Sequence, residues 1–350
     1  MENNNNKAAL FLNKSLKTRF TGLLALVILL TFAMSCGGGG INPQNSLPDA
    51  DSMLSNDSLL SEESLLSNES EDPFTPGFGE KSGVSAEDAV NYLSLGDSIA
   101  YGFSLEKPGE MCYGSLLAEK MGEFGKVNYV NRAVTGLRTS GLAQMLSTPE
   151  MKNLTPYADI VTVSIGANDL LTYAAGELLS LILKYGAGEL FAPGNEENSE
   201  SFAGEVEKAL TGDSFKRKAE SGLNSLKSQL PIILRTIIGD NPEGIVFIQT
   251  IYNPFKGIEL STGSGGVFDL SSLTDEYLFP FNEAIINIAE EAGAIVVDVY
   301  GKFNDSDEKL INAGLYPDRL PPFVYDPHPN ARGQEVIAEL IYESYSALVK

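Results

Sequence analysis

From about residue 86 the sequence alternates short, mostly β-branched apolar runs with longer stretches of helical character, and this alternation limits the fold more than any other feature. The runs fall at 90–95, 127–134, 160–165, 245–251 and 294–299, each with Gly, Asn or Asp close by. Helices are predicted at 113–122, 170–185, 214–238, 275–292 and 331–348, with a kink or break at Pro231. Such continuously apolar strands need cover on both faces. The pattern therefore predicts an α/β fold, a three-layer αβα sandwich around a parallel sheet of about five strands. In such a sheet the loops at the carboxyl ends of the strands converge on one rim, so the chemistry is sought there.

The first 85 residues read differently. A basic region ends at Arg19, an apolar run extends from Phe20 to Phe32, and Ala33-Met34-Ser35-Cys36 follows. This resembles a bacterial lipoprotein signal: residues 1–35 are cleaved and Cys36 carries the lipid. The apolar run is too short to cross a core of roughly 30 Å with margin. Residues 36–85, rich in Gly, Ser, Asn and Glu, read as a disordered tether. They contain three tandem hexads, 52–57, 58–63 and 64–69. A period of six rotates around a helix instead of making one stripe. A flexible chain of this length spans about 40 Å, enough to hold a domain clear of a membrane.

Charge and cysteine content narrow the partners. The formal charge is −23, and loss of residues 1–35, which carry Lys7, Lys14, Lys17 and Arg19 against Glu2, takes it to −26. So acidic a surface repels phosphate backbones and anionic headgroups, which argues against nucleic acid and leaves the lipid anchor as the membrane attachment. With Cys36 lipidated, Cys112 stands alone and reads as a small buried hydrophobe. A single histidine rules out a histidine-rich metal site, no cysteine cluster is available to replace it, and no cofactor is implied.

Four segments bear on chemistry. Gly96-Asp97-Ser98 follows the first strand, where a serine on a tight turn has an exposed hydroxyl. A serine needs a base, and the chain has one histidine, His328, in Asp326-Pro327-His328-Pro329-Asn330 ahead of the last helix. Negative charge on a substrate oxygen needs donors aimed at it. The loop 131–136, ending in Gly136, follows the second strand, and Gly166-Ala167-Asn168-Asp169 follows the third, with Asn168 offering an amide and Asp169 placed to cap the next helix. Taken singly, each is ordinary turn chemistry.

In this order and at these places the segments resemble the GDSL or SGNH hydrolase family over residues 88 to 350. The resemblance implies Ser98 as nucleophile, His328 as base, and Ser98, Gly136 and Asn168 as oxyanion-hole donors. The family usually sets an aspartate three residues before the histidine, whereas Asp326 is two before it. Asp326 is the choice for the third member, with Asp318 or a backbone carbonyl as alternatives. The implied reaction is hydrolysis of carboxylic esters, of acyl lipids, lysophospholipids or short-chain esters, or else of acetyl groups on carbohydrates. A non-catalytic surface binding protein on the same fold is the rival of another class. A helical insertion at about 171–239 exceeds a compact member's needs. Its apolar run 178–183 and polar, loop-like 193–202 suggest either a lid or a buried helix with a surface loop.

Overall fold

A computed structural model describes residues 89–185, 196–261, 267–315, 323–324 and 326–348. The signal, Cys36, the hexads, Asp318 and residues 186–195 lie outside the described residues.

Five parallel strands form the central sheet: β1 Ala89–Gly96, β2 Lys126–Asn131, β3 Ile160–Ser164, β4 Ile245–Gln249 and β5 Ile295–Val297, in the order β2-β1-β3-β4-β5. The chain leaves β1 for β2 on one side and then crosses to β3 on the other. The carboxyl end of β1 is therefore the switch point, where a parallel sheet opens a crevice. Leu93, Leu95, Val163, Phe247 and Ile248 are fully buried in this sheet. Cys112 is likewise buried and free, as its sequence context suggests.

Helices cover both faces. Tyr113–Gly122 and Ala331–Leu348 pack together on one side, and Thr139–Met145, Ala167–Tyr185, Asp213–Asp240 and Leu270–Ala292 on the other. All five expected strands and all five expected helices exist; Tyr113–Gly122 and Ala331–Leu348 keep the expected ends, and the others shift at one end or both. Asp213–Asp240 continues through Pro231 without a break, because Leu230, Ile233 and Leu234 are fully buried and their packing outweighs the lost N–H. Leu270–Ala292 begins five residues before the expected 275, since Asp269 caps it by accepting from the Ser272 N–H at 3.0 Å. The stretch 193–202 is not all loop: a helix, Glu196–Thr211, begins inside it.

One helix pair bears on the site. Gly222 lies against Asp169, where an added Cβ would sit 2.0 Å from the Asp169 carbonyl oxygen, and Lys218 pairs with Glu177 at 3.3 Å. Ala167–Tyr185 and Asp213–Asp240 are thus antiparallel. The second helix ends beside the start of β3, where Asn241 Nδ2 donates to Ala158 O at 3.0 Å. It therefore descends from the carboxyl rim, and its partner rises away from it. The nine residues before Gly222 extend about 13 Å past the level of Asp169.

Candidate active site

The site is built on the loops leaving β1, β2 and β3 and on the loop ahead of the last helix. Asp97 ends the β1 turn and caps Ser98–Tyr101, accepting from the Ile99 N–H at 3.0 Å. Ser98 opens that helix, so its own N–H has no intrahelical acceptor. Ser98 is only 5% exposed.

His328 reaches it from the far end of the chain. Nε2 lies 2.9 Å from Ser98 Oγ, and Nδ1 lies 2.7 Å from Asp326 Oδ1. The same Oδ1 accepts the His328 backbone N–H at 3.1 Å. The two-residue spacing therefore works through an Asx turn: the aspartate folds back onto the residue two places on and meets both its backbone and its ring. Asp326, and not a backbone carbonyl, faces Nδ1. Burial pushes the Asp326 carboxyl up, but its hydrogen bonds and the nearby imidazole outweigh that and hold it below its ordinary value.

The loop carrying His328 is anchored on several sides. Asn312 N–H donates to His328 O and Asn330 N–H to Leu310 O, both at 3.0 Å. The buried Tyr252 hydroxyl donates to Pro327 O at 2.7 Å. Gln334, fully buried in the last helix, accepts from Tyr113 N–H at 2.8 Å and donates to Ile99 O at 3.1 Å. That side chain fastens the helix after His328 directly to the helix of Ser98. Sequence reasoning missed Tyr252 and Gln334, since neither a tyrosine after a strand nor a glutamine in a helix carries a local signal.

The expected donors flank the serine segment. Gly136 has φ +77° in a turn closed by Leu137 N–H donating to Val134 O at 3.1 Å, a backbone that disfavours any Cβ. Asn168 lies in the first turn of Ala167–Tyr185 and not in a loop. Its amide donates to Leu137 O at 3.1 Å and, more weakly, to Asp97 Oδ2 at 3.4 Å. Asp169 departs from expectation. Instead of capping its own helix it accepts from Thr139 N–H at 3.0 Å and Thr139 Oγ1 at 2.7 Å, and so caps Thr139–Met145. Two carboxyls here are buried. Burial drives Asp97 up to about 7, with Asp169 adding to the effect, and burial likewise raises Asp169.

Residues 94–336 match the GDSL-like lipase/acylhydrolase family. The chain belongs to that family. Its activity class is ester hydrolysis. A spore germination lipase of Bacillus licheniformis is 24% identical over 254 residues, covering 71% of this chain and 93% of that protein. Among solved structures, a lipase from a goat rumen metagenome is 20% identical with a TM-score of 0.49, covering 73% of this chain and 97% of its own. A Streptomyces rimosus extracellular lipase is 17% identical with a TM-score of 0.48, covering 73% and 99%.

Proposed function

We propose that this chain hydrolyses carboxylic esters, of acyl lipids or lysophospholipids or short-chain esters, through an acyl-Ser98 intermediate. The observation that carries the reading is the line from Ser98 Oγ to His328 Nε2 and from Nδ1 to Asp326, at 2.9 and 2.7 Å. With Nδ1–H donated to the carboxylate, Nε2 offers its lone pair to the hydroxyl. As Oγ bonds to the ester carbon, its proton passes to Nε2 and the carbonyl π electrons move onto oxygen, facing the Ser98 and Gly136 N–H groups and the Asn168 amide. Collapse breaks the bond to the alcohol oxygen, which takes the proton from His328. Water then attacks the acyl-serine with His328 again as base, and the carboxylic acid leaves as Ser98 is restored.

The weaker amide contact of Asn168, to Asp97, is the one a developing oxyanion would displace, while the Leu137 contact keeps the side chain aimed. Tyr101 and Val134, on the segments after β1 and β2, are exposed apolar surface consistent with an acyl chain. The helices extending past the rim supply a wall on the same side. Turnover of p-nitrophenyl esters of increasing chain length and of a lysophospholipid tests the reading, with Ser98→Ala as control. Ester turnover that survives Ser98→Ala would sink it.

The same reading places the domain outside the cytoplasm on a lipidated Cys36, supported by the basic, apolar and small-residue order of residues 1–36. Metabolic labelling with palmitate, present in the wild type and lost in Cys36→Ser, tests the anchor.

A further inference from the structure

The strand β4 supplies none of the reacting groups, yet three residues past its end stands Tyr252. Both neighbours of that residue are fixed by Leu270–Ala292. The buried Asn282 side chain accepts from the Ile251 N–H at 2.7 Å and donates to Ile251 O at 2.9 Å, and Asn253 Nδ2 donates to Asp275 Oδ1 at 2.8 Å and to Ser271 O at 2.9 Å. The Tyr252 ring lies 4.9 Å from that of Phe303, each residue being only 4% exposed. Tyr252 is thus held in place by backbone and ring alike. Burial keeps its phenol protonated, with Asp97 and Asp326 adding to the effect, so the hydroxyl acts as a donor.

That donor meets one end of a single peptide group. Pro327 C=O and His328 N–H belong to the same planar unit and point in opposite directions. Tyr252 holds the carbonyl at 2.7 Å, and Asp326 Oδ1 holds the N–H at 3.1 Å. Among the described residues these are the hydrogen bonds that peptide makes. Pro327 has no N–H, so the link before it adds none. Rotation of the peptide about its flanking bonds would break both contacts at once. The second contact is the one that brings Asp326 to the ring, since the same Oδ1 faces Nδ1 at 2.7 Å.

We propose that Tyr252 is a positioning residue, which by holding the 327–328 peptide fixes the Asx turn through which Asp326 orients His328 toward Ser98. The proposal rests on the ester-hydrolase reading above for its kinetic consequence, though not for its geometry. It ties the imidazole to the end of a buried strand of the central sheet.

Tyr252→Phe removes the hydroxyl and keeps the ring against Phe303. We expect kcat on p-nitrophenyl butyrate to fall about tenfold with KM nearly unchanged, and the melting curve to stay close to that of the wild type. In an Asp326→Asn background the same change should cost less than about twofold, because the orientation it protects is already lost, whereas a merely destabilising change would cost the same in both. The chain has one Pro-His peptide, so carbonyl-labelled proline combined with nitrogen-labelled histidine reports that peptide alone. Its carbonyl and amide resonances should both move in Tyr252→Phe. An unchanged kcat, a loss that persists in the Asp326→Asn background, unmoved resonances, or a variant that does not fold each overturns the proposal. If the wild type turns over no ester, the ester reading fails by itself, and the two resonances then decide whether Tyr252 holds the peptide.

Discussion

His328 Nε2 stands 2.9 Å from Ser98 Oγ across 230 residues of chain. The contact joins the switch point of the sheet to the loop before the last helix, and the carboxylate behind it fixes which ring nitrogen is free.

Asp326→Asn should keep the loop and lose the anion. An amide that accepts from the His328 backbone can no longer favour the Nδ1–H tautomer as a carboxylate does. We expect kcat to fall by about 10³–10⁴ with little change in thermal unfolding. A steady-state assay alongside a melting curve checks this, and a fall below tenfold would argue against a carboxylate role.

Asn168→Ala should lower kcat by roughly 10²–10³ with a smaller effect on KM, the signature of a donor that acts on the transition state. It also frees Leu137 O, a loss of about 1 kcal/mol in stability. Equal losses in binding of substrate and in kcat would place the amide outside the oxyanion site.

Asp97 predicts a pH dependence of stability. Burial raises its carboxyl from 3.8 in the unfolded chain to about 7 in the fold. The folded state therefore holds the proton more tightly, a contribution fully present below about 3.8 and lost as pH rises through 7. The difference amounts to something on the order of 4 kcal/mol. Asp97→Asn cannot titrate, so the wild type should lose melting temperature relative to it between pH 4 and 8. The slope of that difference is the test, because the mutant's altered contact with Asn168 gives only a constant offset. Parallel curves would refute the raised carboxyl.

Gly222→Ala should destabilise the fold by about 1–3 kcal/mol, because the new Cβ meets the Asp169 carbonyl oxygen at 2.0 Å and neither backbone can yield alone. Asn168 precedes Asp169, so activity should fall by more than the loss of folded protein explains. Active-site titration with a phosphonate separates the two effects.

The sheet and its five strands were legible because buried parallel strands are written as apolar runs. Their ends were not. The expected strand 127–134 stops at Asn131, although Arg132 N–H and Val134 N–H still donate to Ser94 O and Gly96 O at 2.8 and 2.9 Å. There Asn131 Oδ1 accepts from the Ala133 N–H at 2.9 Å, a side-chain bond that no hydropathy pattern records. Ser98, Gly136, Asn168, Asp326 and His328 could be picked out because their segments, taken together and in this order, resemble those of the family, whereas each alone reads as turn chemistry. What Asp169 does could not, because its partner, Thr139, belongs to an earlier helix thirty residues away. The Asp326 spacing looked irregular only on the premise that residue count decides reach. An Asx turn covers that reach in two residues.

Gln334 makes completeness a condition of function. Its amide ties the last helix to Tyr113 and Ile99 at 2.8 and 3.1 Å, so the base is presented only once that helix has docked. A nascent or truncated polypeptide could assemble most of the sheet and still be inert. Ester cleavage by this chain would then report on the finished molecule, and hydrolysis during synthesis would be withheld by chain order itself.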